Sequence, residues 1–362
     1  MAEVVRFGLV GTGVAGETHA RELKRVEGAR LEAVLGRDAT RTSAFAARLD
    51  IPRSFARYID LLADPAIDAV IIATPNGQHL DYAVQAARAG KHVVVEKPLE
   101  ITEQRAQTIV DACREAGRRL FVIYQRRYSQ AARQALSDID AGRLGDIVLV
   151  NIVDNEFRTP SYYARDAWRG TWAEEGGGCV MTQSTHMLDL AQHLVGPIVR
   201  VFAQTRTAYH AIETEDVAVA ALTFACGALG TFSSSTAAFP GQRHLLMISG
   251  TRGSIILNAE HDQIVFRRTV EDATATAIPP DFSFADPTEP RDYPTEGQRR
   301  QLQAIVDEIR GVGSLAVSNE PGLWATRVID AIYHSAREGR SIDIAHGEAL
   351  QTHAGAGAGP EL

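Results

Sequence analysis

The chain has 362 residues, 45% of them apolar and 23% charged, which is ordinary for a globular protein and long enough for two domains with cores of their own. Its formal charge of −8, with Arg126-Arg127 and Arg299-Arg300 as isolated basic pairs, excludes a nucleic-acid binder. Three cysteines, Cys113, Cys179 and Cys226, are far apart and exclude a disulfide framework or zinc site; they fit reduced thiols in a cytoplasmic protein, with no metal and no membrane span expected.

The first third alternates strand and helix signals. Apolar runs predict strands over 4–10, 31–35, 69–73, 92–95 and 120–124. Helical stretches lie between them, to about residue 26 and over 40–49, 78–89 and 102–116, with Thr102 as an N-cap and Gly90 and Gly117 as stops. This rhythm implies a parallel doubly wound sheet over 1–125.

From 126 to 345 the rhythm changes. A helix over 129–141 and a strand over 147–153 precede a loop rich in Tyr, Trp, Arg and Gly that runs to Gly178. A helix follows over 183–194, then strands over 199–207, 217–224, 229–235, 245–249, 254–257 and 264–267. The alternation over 217–224 suits an antiparallel sheet with one exposed face, where subunits commonly pair. A loop over 271–296 with five prolines leads to helices over 298–310 and 321–338, and 346–362 forms a flexible Ala/Gly-rich tail.

Four stretches carry chemistry. Gly11-Thr12-Gly13-Val14-Ala15-Gly16 follows a strand and opens a helix, the setting in which a GxGxxG loop cradles a pyrophosphate. Gly11 permits the turn, Gly13 the approach of the phosphates, and Gly16 the close packing of helix on strand. The second strand ends at Gly36-Arg37-Asp38. Gly36 makes room there, and Arg37, with Arg41 one turn on, supplies cations for a ribose 2′-phosphate, which favours NADP over NAD. Asp38 is the rival, as a ribose diol ligand or as the cap of the next helix.

Thr74-Pro75-Asn76-Gly77-Gln78-His79 ends the third strand, where contacts to the nicotinamide half of a dinucleotide are expected, although Pro-Asn-Gly is also an ordinary turn. The fourth strand ends at Glu96-Lys97-Pro98, which delivers an ammonium to the crevice edge. Farther on, Gly176-Gly177-Gly178 precedes Thr182, Gln183, His186 and Asp189. The last three lie three apart and share a helical face, and His186 can exchange a proton near neutrality. Tyr163, Trp168, Arg169 and Trp172 are candidate pocket residues; Arg169 would suit a substrate carboxylate or phosphate, or be a plain surface cation.

These strings, with Gln125-Arg126-Arg127-Tyr128 and Ser249–Ser254, occur in the order and spacing of the Gfo/Idh/MocA family, the glucose-fructose oxidoreductase and inositol dehydrogenase group, which the chain resembles over nearly its whole length. The resemblance implies a Rossmann domain followed by an α+β domain with a large, open, mainly antiparallel sheet. It implies NAD(P)-dependent hydride transfer on a sugar, sugar-acid or cyclitol hydroxyl or ketone, in a homodimer or homotetramer paired through that sheet. By position, Lys97 and His186 match the catalytic pair. Asn76, His79 and Glu96 match cofactor-lining positions beside Thr74 and Gln125, Arg127 matches a substrate-region arginine, and the Lys97–Pro98 bond is often cis in such proteins. Many inositol-dehydrogenase-like members have an aspartate where this chain has Thr182, so Asp189 is a candidate to orient His186. Two other activities occur on this fold: a glycosidase that uses NAD transiently, and a regulator that binds NADP without catalysis. The presence of both Lys97 and His186 favours the dehydrogenase.

Overall fold

The computed structural model describes residues 4–242, 244–272, 294–313 and 321–345. Most of the proline-rich loop and the whole 346–362 tail lie outside these residues. The chain divides into two compact units.

The first unit takes in residues 1–125, 173–176 and 290–326. Its chain order is β1 (Val5–Val10), α1 (Val14–Leu23), β2 (Ala29–Leu35), α2 (Ala39–Arg48), β3 (Arg53–Phe55), α3 (Tyr58–Ala63), β4 (Ala69–Ile72), α4 (His79–Arg88), β5 (His92–Val95), α5 (Glu103–Glu115) and β6 (Leu120–Val122). The six strands pair in the order β3-β2-β1-β4-β5-β6, all parallel, so the order reverses between β1 and β4. The short β3 and α3, three and six residues long, were not expected from the sequence, because so few residues do not display a period.

Successive strand residues feed opposite faces, as the pleat requires. Val10, Val70, Ile72, Val93 and Val95 pack on one side with Leu61, Ala83, Ala86 and Ile109. Leu9, Ile71 and Val94 pack on the other with Ala20, Leu23 and Phe45. Burial on both faces explains why these strands read as continuous apolar runs. Thr102 caps α5, its Oγ1 accepting from the Arg105 N–H at 3.3 Å.

The second unit takes in residues 126–172, 177–289 and 327–362. Here α6 (Gln130–Asp140) and β7 (Ile147–Asn155) precede α7 (Pro160–Ala164), a π-helical turn over Val180–Ser184 and α8 (Thr185–Val195). Six strands follow: β8 (Ile198–Arg206), β9 (Val217–Phe224), β10 (Leu229–Ser235), β11 (Leu245–Gly250), β12 (Gly253–Asn258) and β13 (Gln263–Thr269). The chain continues through α9 (Glu296–Ile309) and α10 (Pro321–Glu338) to β14 (Ile342–Asp343). The eight-stranded sheet runs β13-β12-β11-β7-β10-β9-β8-β14 and is antiparallel except where β10 lies parallel to β7. One face buries Val150, Ile152, Ala218, Leu222, Phe232 and Ile248 against Leu188, Ala191 and Ile329.

The first unit's makeup departs from a simple break at residue 125. Helix α9, expected in the second domain, packs Leu302, Ile305 and Val306 into the core that holds Phe7, Leu9 and Leu23. Amphipathicity marks a helix as having a partner without naming it.

Candidate functional site

Register decides what meets at the carboxyl edge of the first sheet. Val10 pairs with Leu35 and with Ile72, and Ile72 pairs with Val95. Gly11, Gly36, Thr74 and Lys97 therefore leave neighbouring strands on the same side. A ligand crevice in an open α/β sheet forms outside these strand ends, at the point where strand order reverses.

The glycine loop is built as its pattern requires. Gly11 has φ +114°, and a Cβ there would collide with the Ala73 carbonyl oxygen. A Cβ on Gly16 would collide with the Gly11 carbonyl oxygen, so α1 can approach β1 only without one. Gly13 differs: its φ is −80°, and a Cβ there would touch no protein atom within 4 Å. The protein's own packing does not demand a glycine at 13, whereas a pyrophosphate lying on the backbone would. The first N–H groups of α1, at Val14 and Ala15, lack intrahelical acceptors and favour an anion. Thr74 Oγ1 and Gln125 Oε1 are buried with no hydrogen-bond partner among the described residues. These features fit a bound dinucleotide.

At the tip of β2 the sequence reading needs correction. A Cβ at Gly36 would strike Thr42 Oγ1 and lie 2.9 Å from Thr12 Cγ2, so this glycine serves contact within the protein and does not clear space for a phosphate. Asp38 is the N-cap of α2, its Oδ1 accepting from the Arg41 N–H at 2.7 Å. Arg37 and Arg41 are exposed.

Lys97 is half-buried at the end of β5, and its bond to Pro98 is cis. The loop behind it is pinned from two sides. His79 is fully buried, with Nδ1 at 3.0 Å from the Pro98 carbonyl and Nε2 at 3.1 Å from the Thr74 carbonyl. Burial pushes its pKa down. His79 was expected to line the cofactor; both ring nitrogens instead face the backbone, because a buried imidazole must find polar partners. Glu100, fully buried, accepts from Arg105 at 2.8 and 2.9 Å, and Arg105 also donates to the Gly77 carbonyl at 2.7 Å. Asn76 donates to the Glu175 carbonyl at 2.9 Å, tying segment 173–176 to the end of β4.

Glu96 points back into the unit. Its Oε1 lies 2.7 Å from Nε2 of the fully buried His19, and its Oε2 accepts from the Lys97 N–H at 3.1 Å. Burial works against its charge, yet the His19 hydrogen bond and the Lys97 ammonium hold its carboxyl below the ordinary value. Sequence reasoning missed His19. Its only signal was its place three residues beyond Gly16, on the same helical face.

In the second unit, His186 is 8% exposed near the start of α8. The helix does not begin regularly at Gln183. It opens with the π-helical turn, a feature common at functional sites, so the Gln183–His186–Asp189 spacing crosses a change of pitch. Gln183 Nε2 donates to Tyr162 Oη at 3.2 Å. Both Asp189 oxygens accept from Arg127, Oδ2 from Nε at 2.6 Å and Oδ1 from Nη2, in a pair with side chains only 7% and 2% exposed. Burial pushes the Asp189 carboxyl up, with Arg127 pulling against it. Arg127 was expected near substrate and Asp189 beside His186; the structure pairs the two with each other.

The glycine run has no room for side chains. A Cβ on Gly177 would strike Tyr333 Oη, and one on Gly178 the Glu215 carbonyl oxygen. The Glu215 carboxylate accepts from the N–H groups of Gly178 and Val180 and from Tyr333 Oη, each at 3.0 Å. Burial pushes this carboxyl up to about 7. Neither Glu215 nor Tyr333 stood out in the sequence.

Arg169 lies over the rings of Tyr162 and Trp168 at 4.3 and 4.5 Å and donates to Tyr162 Oη at 2.6 Å. Tyr163 Oη is 2.8 Å from Thr236 Oγ1. Thr182 is half-buried in the π turn, its N–H donating to the Gly178 carbonyl at 3.0 Å. Trp172 is 42% exposed, with Nε1 on the Glu213 carbonyl at 3.1 Å. Among the described residues, no group of three or more His, Cys, Asp or Glu is placed to hold a metal ion, and no helix is long and apolar enough to cross a membrane.

Comparison with known proteins agrees with this construction. Residues 5–124 match the GFO_IDH_MocA family, described as an oxidoreductase family with an NAD-binding Rossmann fold, and residues 130–256 match the GFO/IDH/MocA C-terminal domain. The chain is 30% identical to the WlbA dehydrogenase of Bordetella pertussis, solved in complex with NADH and UDP-GlcNAcA; the match covers 95% of this chain and 99% of that one with a TM-score of 0.84. It is 29% identical to D-xylose 1-dehydrogenase (NADP(+)) 2 of Haloferax volcanii, over 93% of this chain and 99% of the relative. It is 28% identical to inositol 2-dehydrogenase of Rhizobium meliloti, over 94% and 99%.

Proposed function

The chain belongs to the Gfo/Idh/MocA oxidoreductase family, and from that premise we propose that it oxidises a hydroxyl of a sugar, sugar acid or cyclitol, or reduces the matching ketone, with NAD(P). The observation that carries this reading is the shared carboxyl edge of β1, β4 and β5, from which the glycine loop and Lys97 both emerge. When bound, the nicotinamide takes up or releases the hydride. Lys97 holds the reacting oxygen and stabilises the negative charge that develops on it. His186 takes the hydroxyl proton as general base, or returns it in the reverse direction. Relatives named for xylose and inositol, and one bound to a sugar nucleotide, support a polyol-like substrate.

The preferred cofactor in this proposal is NADP, with NAD usable. What supports it is a pair of exposed guanidinium groups, Arg37 and Arg41, at the tip of β2, while Asp38 is committed to capping α2. The proposal extends to a homodimer or homotetramer. Leu149, Phe202, Val219 and Leu229 lie on one face of the eight-stranded sheet and are 41–61% exposed, a patch that suits subunit pairing.

The deciding experiment incubates the protein with NADP or NAD and a panel of pentoses, hexoses, inositols and sugar acids, following absorbance of the reduced cofactor. Turnover is expected with at least one polyol, and Lys97→Ala should lower kcat by about a hundredfold or more while leaving cofactor affinity within a fewfold. Turnover that survives in Lys97→Ala would remove Lys97 from the chemistry. Arg37→Ala should raise KM for NADP and leave that for NAD; an equal effect on both would sink the 2′-phosphate assignment.

A further inference from the structure

We propose that His19 is a positioning residue: it holds the Glu96 carboxylate, which in turn holds the backbone N–H of Lys97. The importance of Lys97 rests on the reading given above; the link from His19 to Glu96 does not.

The local structure explains how a histidine comes to be there. Gly16 lets α1 approach β1 closely, and His19, three residues on, shares its helical face. That approach brings a fully buried ring within 2.7 Å of Glu96 Oε1 at the end of β5. The carboxylate can only accept, so the ring proton sits on Nε2. The Gln298 amide nitrogen of α9 lies 3.3 Å from Nδ1 and 3.4 Å from Nε2; as a donor it needs an acceptor, which Nδ1 supplies in this tautomer. Helix α9 is itself tied to the end of β6, with Gln301 Nε2 donating to the Val122 carbonyl at 2.7 Å.

Glu96 uses both oxygens, Oε1 toward His19 and Oε2 toward the Lys97 N–H at 3.1 Å. A hydrogen bond to an ionised group is among the strong ones, so His19 sets both the direction and the charge of this carboxylate. The ionisable groups acting on Glu96 are His19 from α1 and Lys97 beside it, with His79 of α4 sensing its charge. Without the His19 donor, Glu96 becomes easier to protonate and its grip on the Lys97 peptide is lost at higher pH.

The test titrates the Glu96 carboxyl by carbon NMR of glutamate-labelled protein, assigned against Glu96→Gln, in wild type, His19→Phe and His19→Gln. The Glu96 pKa should rise by about one unit or more in His19→Phe, as loss of a hydrogen bond to the charged form does, and stay near the wild-type value in His19→Gln, whose amide can still donate. An unmoved titration in His19→Phe overturns the proposal. Should that variant not fold, nitrogen NMR of histidine-labelled wild type, assigned with His19→Gln, decides the matter: the Nε2–H tautomer supports the link and Nδ1–H overturns it. With a substrate in hand, the acid limb of the kcat–pH profile should move upward in His19→Phe by the same amount. If Lys97→Ala retains turnover while the Glu96 titration still moves, the catalytic reading of Lys97 fails and the His19–Glu96 link stands.

Discussion

Arg127 and Asp189 offer a sharp test, because two readings of the same arginine predict opposite results. As a substrate ligand, Arg127 would matter for KM and little for stability. As found, its guanidinium and the Asp189 carboxylate form two parallel hydrogen bonds with side chains 7% and 2% exposed. Removing one member strands the other charge without water, which costs about 3–5 kcal/mol, whereas replacing both with apolar residues of similar volume is often neutral. Arg127→Met and Asp189→Leu should therefore each lose about 3–5 kcal/mol of stability, and the double variant should recover most of that, leaving a coupling energy of roughly 3 kcal/mol or more. Equilibrium urea denaturation followed by circular dichroism measures all four proteins. If Arg127→Met costs less than about 1 kcal/mol, as an exposed ion pair would, the buried-pair reasoning is wrong. A raised KM in that variant with unchanged stability would return Arg127 to the substrate.

Three other perturbations follow from packing and charge. Glu215 has its folded-state carboxyl raised from 4.5 to about 7, so the folded protein binds the extra proton, and stability should fall as pH rises through that window, by roughly 3 kcal/mol in total. Glu215→Gln should flatten that slope in denaturation curves taken on either side of the window; an unchanged slope refutes the assignment to this group. Leu302→Ala, at a fully buried site on α9, should cost about 2–5 kcal/mol, and a loss under about 1 kcal/mol would mean that α9 is not part of the first core. Gly11→Ala forces a Cβ onto the Ala73 carbonyl at φ +114° and should raise the Kd for NADPH at least tenfold, about 1.4 kcal/mol, by fluorescence titration; an unaltered Kd would show that the loop tolerates the side chain.

The resemblance to a known family was visible in short strings, and the first unit's parallel sheet in its rhythm of strands and helices. Residue by residue, the reading matched the structure where a position and its signal lie close together. Gly11 and Lys97 follow strand ends that the apolar runs announce, Gly16 lies in the helix that the glycine loop opens, and Thr102 caps the helix it precedes. It failed where a side chain's partner lies far along the chain. Arg127 meets Asp189 across 62 residues, His19 meets Glu96 across 77, and Tyr333 meets Glu215 across 118. Gly36 was assigned to a ligand because the sequence could not show Thr12 and Thr42 closing on it.

Taken alone, then, the sequence determined the glycine loop, the lysine at the crevice edge and the order of the elements. These depend on local propensity and on periodicity, which adjacent residues report. Tertiary structure alone decided which polar groups are already paired. It turned His79 onto the backbone, locked Arg127 to Asp189, opened the His186 helix with a π turn under Glu215, and put His19 behind Lys97. The physical reason is that a buried polar group must find its partner wherever folding brings one, and sequence distance carries no record of that meeting.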